Sequence, residues 1–415
     1  METNLEKAIH ILKENKQEHI LKLLNELEEE KKTELVEQVL SINFEQLNEL
    51  YKEASKKPEI LEKKLEHLKY VDKSKLNGEE EKNYIEAGEN VIRNGEYAVV
   101  TMAGGQRTRL GHNGPKGTYK LDVKPEPKYL FQIFVENLLK ANKKYGVILP
   151  WYIMTSTENN HDTVEFFKQH DYFGYDEKHI KFFKQSDFPL LSEEGKLMIN
   201  KNHLIKFASD GNGAIYKAMQ NEGVIEDMER RGVKWIFICS VDNALLNMAD
   251  PILLGLALND GNEIASKSVA KNAPEERVGV FCKINGAPGV IEYSEIPEEL
   301  TFARDENGEL LYGESNIICH LYTLDAIKKI STKNLKYHIA HKKCNYIDDN
   351  DEYIEVTEPN AYKFESFIFD AFKYFDDISL LRVKREEEFA PVKNKEGNDS
   401  PATATELYNA YHKYV

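Results

Sequence analysis

From about Gly95 onward, short β-rich runs alternate with helical patterns, and this alternation constrains the chain more than any other feature. "YAVVTM", "WYIMTS", "WIFICSVDN", "EIASKSVA", "RVGVFCKI" and "GVIEYSEI" are dense in branched and aromatic side chains, as strands are. Between several of them lie "LFQIFVENLLKANKKYG", "HDTVEFFKQH", "GAIYKAMQNEGVIEDMERRG" and "DPILLGLALNDG", whose apolar residues recur at helical spacing. Apolar runs of this kind suit strands covered on both faces, with the helices as crossovers. The expectation is an α/β domain on a mostly parallel or mixed sheet. In such sheets ligands gather beyond the carboxyl ends of the strands.

The flanks have a different texture. Before about Gly88 the chain reads as helix, with Leu5, Ile9, Leu12, Ile20, Leu23 and Leu24 at three- and four-residue steps and no glycine until Gly78. The charge runs "EEEKK" and "EEEK" in this arm are read as solvated faces. From about Tyr337 the signals mix again, with a polar turn at "KNKEGNDSP", as in a small α+β lobe. The expected division is a helical lobe at 1–94, the α/β region at 95–336 and a C-terminal domain at 337–415.

Composition narrows the function. A net charge of −16 on 415 residues is the wrong sign for general nucleic-acid binding, though a local basic pocket for an anionic small molecule remains open. The first residues lack the cationic start and apolar core of a secretory signal, and no run approaches the roughly 18 apolar residues of a membrane span. Cys239, Cys282, Cys319 and Cys344 form no CxxC pair and read as reduced, buried thiols, so a cytoplasmic protein is expected. The histidines form no HExxH or HxH motif, and no Gly-x-Ser-x-Gly elbow is present. Covalent hydrolase chemistry therefore finds no support.

What remains is phosphate handling. Directly after "YAVVTM" comes "AGGQRTRLGHNGPKGTY", which carries Arg107, Arg109 and Lys116 among five glycines. It fits neither the GxxxxGK[ST] nor the GxGxxG pattern. Gly104 and Gly105 let backbone amides approach a ligand closely, and Arg109 and Lys116 add positive charge to the same place. A second polar point ends "WIFICSVDN" at Asp242 and Asn243. A carboxylate at such a strand end, beside a phosphate loop, suits Mg²⁺ (or Mn²⁺), which takes few protein carboxylates plus phosphate oxygens. Asp250–Pro251 is the better helix cap of the two aspartate positions. Gly211–Asn212–Gly213 precedes a helical pattern and is equally a plain turn or an anion-facing loop. Glu292 and Asn316, taken alone, could bond sugar hydroxyls or face solvent.

"MAGGQRTRLGHNGPKGTY" resembles the signature loop of the UDP-sugar pyrophosphorylase family, the UTP-dependent uridylyltransferases. "FFKQSDFPLL", "DGNGAIYKAM", "CSVDNALLNMADP", "RVGVFCKINGAPGVIEYSEI", "SNIICHLYTL", "KFESFIFDAF" and "REEEFAPVKNKEGNDSPATA" follow in the order of its UDP-N-acetylglucosamine branch, over roughly Tyr97 to Thr405. The resemblance implies a Rossmann-like nucleotidyltransferase core with a mixed sheet, a helical N-terminal lobe, and a small α+β C-terminal domain closing on the active site. It also implies site residues. Met102, Ala103, Gly104 and Gly105 would bed the uridine, and Gln185 would read the uracil edge with support from Gly211. Arg109 and Lys116 would grip the triphosphate, Asp242 the divalent ion, and Lys393 the sugar phosphate. Asn212, Gly279, Glu292, Asn316 and Phe369 match sugar-contacting positions. One departure stands out, since similar proteins carry glycine where this chain has Arg107. A side chain there either points away from the nucleotide or adds charge beside the phosphates.

The implied reaction joins UTP and a sugar-1-phosphate into a UDP-sugar and pyrophosphate, with N-acetylglucosamine-1-phosphate as the expected sugar. Glucose-1-phosphate or galactose-1-phosphate is the alternative, and an inactive UDP-sugar sensor is the alternative from another class. No nucleic acid and no membrane are expected as partners, and the chain is expected to be a monomer or homodimer.

Overall fold

The structure is a computed structural model and describes residues 3–56, 63–105, 111 and 114–413. The chain divides into two compact units. Met1–Leu61, Ser186–Ala214 and Leu335–Phe367 form the smaller, and Glu62–Gln185, Ile215–Asn334 and Ile368–Val415 the larger.

Among the described residues the smaller unit holds four α-helices, Asn4–Glu14, Glu18–Glu26, Glu29–Ser41 and Phe44–Ala54. Thr3 starts the first with a capping box, its side chain accepting from the Glu6 amide while Glu6 reaches back to the Thr3 amide. The apolar positions read from the sequence close one core: Leu12, Ile20 and Leu24 pack with Leu35, Val39, Leu47, Leu197, Ile205 and Phe364. Among the described residues three small sheets complete the unit, one of them Tyr346–Ile347 paired with Tyr353–Ile354. Asp187–Pro189 pairs with Phe207–Ser209, and Ala361–Glu365 lies between His338–Lys342 and Leu191–Ser192.

The larger unit is built on an eleven-stranded sheet. Along the chain its strands are β1 Leu65–His67, β2 Val71–Asp72, β3 Tyr97–Met102, β4 Trp151–Thr155, β5 Ile180–Lys184, β6 Trp235–Ser240, β7 Ile264–Ala270, β8 Val280–Ile284, β9 Ala287–Ile291, β10 Glu314–Thr323 and β11 Ser379–Arg382. The main order is β2-β11-β7-β10-β6-β3-β4-β5. Every neighbouring pair in it is parallel except those of β10, which runs antiparallel to both β6 and β7. The expected mixed α/β sheet is thus present. All six residues of β3 are buried, as the continuous apolar run requires of a central parallel strand.

Two features differ from the periodicity. β1 and β2 lie in the stretch read as helical and join the sheet as short strands. With three and two residues they are too short to carry an alternation signal. "GAIYKAMQNEGVIEDMERRG" forms two helices, Ile215–Asn221 and Val224–Arg230, broken where Gly223 turns left-handed at φ 66°. The other three helical patterns of the core form as read, at Leu130–Tyr145, Asn160–Gln169 and Pro251–Asp260, and Asp250 caps the last through the Ile252 amide. Leu324–Ser331 and Pro401–Tyr411, by contrast, are helices the periodicity did not single out. All four cysteines are buried and unbridged. Burial pushes the thiols of Cys239 and Cys282 up to about 12, which leaves them unreactive.

Candidate functional site

The parallel register puts the ends of β3, β4, β5 and β6 along one rim of the sheet. Met102 lies opposite Met154 on one side and Ser240 on the other. The chain leaving β3 is held at once, since the Ala103 amide donates to the Met154 carbonyl at 2.7 Å and the Met102 carbonyl accepts from Val241 at 3.1 Å. Buried Asn159 donates its Nδ2 to the Ala103 carbonyl at 2.9 Å, while its own Oδ1 accepts from the Ser156 amide. Sequence reasoning missed Asn159. Its partner lies 56 positions away in the chain, so no local signal marked it.

Gln185 follows β5, and its amide donates to the Thr155 carbonyl at 2.8 Å. Its side chain, 6% exposed, lies against Gly104, where a Cβ would come 2.6 Å from Oε1. The structure therefore brings Met102, Ala103, Gly104, Gly105 and Gln185 together. Gly105 is exposed, with nothing within 4 Å of a Cβ position. Arg109, like Arg107, lies outside the described residues.

Beyond that loop, the turn Lys116–Thr118 is seated by Gly117, which rests on the Phe131 ring so closely that a Cβ would meet Cε2 at 2.2 Å. This seating aims Lys116 at the end of β6, where its Nζ lies 3.1 Å from Asp242 Oδ2. Lys393 arrives from the C-terminal segment, fixed by the Val392 amide donating to the Asp242 carbonyl at 2.8 Å. Its Nζ lies 3.9 Å from Asp399 Oδ2 and 5.4 Å from the Phe389 ring centre. Burial would push the Asp242 carboxyl up. The Lys116 and Lys393 ammoniums and hydrogen bonds from Ser240 and Lys116 outweigh it and hold the group below its ordinary value. The result is an ionised carboxylate between two lysines at a strand end.

Behind this trio sits a buried charge cluster that the sequence reading did not find. Lys267, fully buried in β7, pairs with Asp250 at 2.9 Å and with Glu388, and Lys73 reaches the same two carboxylates at 3.0 and 3.1 Å. A lysine inside the apolar run "EIASKSVA" was the signal.

Among the sugar-contacting candidates, Gly279, Glu292 and Asn316 come together. A Cβ on Gly279 would lie 3.1 Å from Glu292 Oε1, and the Asn316 amide donates to the Gly279 carbonyl at 2.8 Å. Asn316 Oδ1 accepts from the Ile318 amide at 3.0 Å, with Ile318 at φ 54°, a costly conformation for a β-branched residue. Phe369 lies half-buried in the 3-10 turn Ile368–Tyr374, which packs on β9. Gly211 and Asn212 belong to the smaller unit. There Gly211 has φ 90°, and a Cβ would meet the Ser366 carbonyl oxygen at 2.2 Å, so no other residue fits.

Among the described residues no three His, Cys, Asp or Glu side chains gather as a closed metal cage. A single ionised carboxylate on an open strand end instead fits a hard divalent ion that completes its shell with phosphate oxygens and water. Among the described residues no helix is long and apolar enough to cross a membrane.

Such a sheet, with a glycine loop after one strand and an acid–base cluster after its neighbour, defines a Rossmann-like nucleotidyltransferase core. A model of the UTP–glucose-1-phosphate uridylyltransferase family matches residues 41–413, and the chain belongs to that family. It is 35% identical to the human UDP-N-acetylhexosamine pyrophosphorylase-like protein 1, over 95% of this chain and 82% of that protein. It is 40% identical to the UDP-N-acetylglucosamine pyrophosphorylase of Saccharomyces cerevisiae, over 80% of this chain and 72% of that protein. Among solved structures, the uridine diphosphate N-acetylglucosamine pyrophosphorylase of Trypanosoma brucei matches with a TM-score of 0.85 and 28% identity. That match covers 99% of this chain and 85% of the other.

Proposed function

We propose that this chain is a uridylyltransferase that makes a UDP-sugar and pyrophosphate from UTP and a sugar-1-phosphate, with N-acetylglucosamine-1-phosphate as the sugar. The observation that carries the reading is the Lys116–Asp242 pair at 3.1 Å, with Lys393 delivered beside it and the glycine loop on the neighbouring strand. On a protein of net charge −16, this cationic cluster is suited to polyanionic reactants.

In the reaction, a phosphate oxygen of the sugar-1-phosphate attacks the α-phosphorus of UTP in line. The bond from that phosphorus to the bridging oxygen breaks, and pyrophosphate leaves with the electron pair. The attacking phosphate is already ionised, so no general base is required. The obstacle is repulsion between two polyanions, which Lys116 and Lys393 offset by holding positive charge where they meet. Arg109, known from the sequence alone, is assigned to the departing pyrophosphate. Gly104 and Gly105 leave room for the uracil, and Gln185 reads its edge. Gly211 is assigned to the uracil on the family resemblance. Asp242 would hold magnesium or manganese, which when bound neutralises phosphate charge.

Asn212, Gly279, Glu292, Asn316 and Phe369 are assigned to the sugar. The three-part organisation at 1–94, 95–336 and 337–415 and a cytoplasmic location belong to the same proposal. Among the relatives, the N-acetylhexosamine and N-acetylglucosamine names favour an N-acetylated sugar over glucose. The test is pyrophosphate release from UTP with a panel of sugar-1-phosphates. N-acetylglucosamine-1-phosphate should give the highest kcat/KM. UDP-sugar binding without pyrophosphate release from any of them would overturn the reading.

A further inference from the structure

Asn243, next to the candidate metal carboxylate, takes no part in the chemistry above, yet it is 2% exposed and fully engaged. Its Nδ2 donates to the Glu388 carbonyl at 2.7 Å, and its Oδ1 accepts from the Ala390 amide at 2.9 Å and from the Leu245 amide at 3.2 Å. On either side, the Ala244 amide donates to the Ala390 carbonyl at 3.0 Å and the Val392 amide to the Asp242 carbonyl at 2.8 Å. The side chain thus acts as an extra peptide unit, extending an antiparallel bridge between Asn243 and Pro391. Among side chains of this length, only the amide carries the donor and the acceptor on separate atoms, while a serine hydroxyl is too short to span the same three groups. Aspartate would set a carboxylate against the Glu388 carbonyl, and an aliphatic residue would leave three buried backbone groups without a partner.

The segment so fastened is the one that carries Lys393. Its start is anchored at Glu388 by Lys267 and Lys73, and its end by the Lys393 amide donating to the Asp399 carbonyl at 2.7 Å. We infer that Asn243 is a positioning residue: it clips the 388–393 segment to the end of β6 and so sets where Lys393 stands relative to Asp242. The inference rests on the proposed function for its kinetic consequence but not for the clip itself.

The experiment compares Asn243→Asp, Lys393→Ala and the double variant in the full chain, with pyrophosphate release read at varied sugar-1-phosphate. Amide hydrogen exchange is followed over residues 389–393. Asn243→Asp should lower kcat/KM by ten- to hundredfold, and the double variant should match Lys393→Ala within about twofold. Exchange at Ala390 and Val392 should quicken at least tenfold while β6 keeps its protection. Where Asn243→Asp fails to fold, Asn243→Ser is read in its place. Effects that multiply in the double variant, or unchanged exchange at Ala390 and Val392, would overturn the inference. Failure of the parent protein to release pyrophosphate with any sugar-1-phosphate would sink the functional reading alone, with the exchange result still deciding the clip.

Discussion

Gly104 and Gln185 touch so closely that a single added carbon on the glycine would lie 2.6 Å from the glutamine oxygen. The two residues stand 81 positions apart in the chain and follow different strands of one sheet. Gly104→Ala must therefore push aside the amide assigned to the uracil edge. Loss of one or two hydrogen bonds at about 1 kcal/mol each raises KM for UTP by roughly tenfold. Steady-state kinetics with UTP varied, together with an unchanged melting temperature, checks this.

Lys116→Ala removes the cation nearest the Asp242 carboxylate. Single groups that stabilise developing charge are worth on the order of 10²–10³ in rate, so kcat should fall by that factor with the fold intact. Arg109→Ala should fall as far. Near-normal turnover in either variant would refute the assigned roles.

Chelation offers an independent check on Asp242. Excess EDTA should abolish pyrophosphate release, and added magnesium or manganese should restore it. Asp242→Ala should lose this dependence together with its activity, while Lys393→Ala should retain metal activation at a lower rate.

Two helices of the larger unit, Gly78–Arg93 and Pro251–Asp260, cross backbone to backbone at reciprocal glycines. A Cβ on Gly88 would lie 2.1 Å from the Pro251 carbonyl oxygen, and one on Gly255 would lie 2.0 Å from that of Tyr84. Gly88→Ala or Gly255→Ala forces the helices apart at a cost of about 1–3 kcal/mol, the usual range for overpacking. Thermal melts of the variants measure it, and unshifted transitions would contradict the crossing.

The buried cluster of Lys73, Asp250, Lys267 and Glu388 gives stability a pH signature. Burial pushes the Asp250 carboxyl up, but Lys267 and Lys73 depress it overall, so its contribution is present above the unfolded value near 3.9 and is lost as pH falls below it. Burial pushes the Lys267 and Lys73 ammoniums down, but the carboxylates, Asp250 foremost, raise both overall. Their contribution is therefore full below the unfolded value near 10.4 and is lost as pH rises beyond it. Lys267→Met leaves the two carboxylates short of charge and should cost about 3–5 kcal/mol. The penalty should be largest near neutral pH and should shrink as pH falls and Asp250, no longer held down by Lys267, takes up a proton, as a pH series of melts reads directly.

What the sequence disclosed follows physical range. β3, β4, β6, β7 and β8 were legible because each is a local apolar run, and Asp250–Pro251 was legible as a cap because capping acts within one turn. Strand direction is not local, so nothing in "SNIICHLYT" announced that it runs against its neighbours. Gly223 ended a helix through a positive φ that periodicity does not record. At the site, the cationic and acidic residues were visible by type, and the family resemblance gave them roles. Their supports were not visible: Asn159, Gly117 under Phe131, and Glu388 all act through partners distant in sequence. The gathering of 186–214 and 335–367 with the first helices is likewise a property of the folded chain alone.

The tether between Val392 and Asp242 also orders events during synthesis. A ribosome completes β6 about 150 residues before it reaches Lys393, so the emerging chain holds its carboxylate and glycine loop long before the last cation is made. On the proposed roles, a nascent or prematurely terminated polypeptide ending before this lysine should lack a finished centre. Competence would then be conferred late in translation.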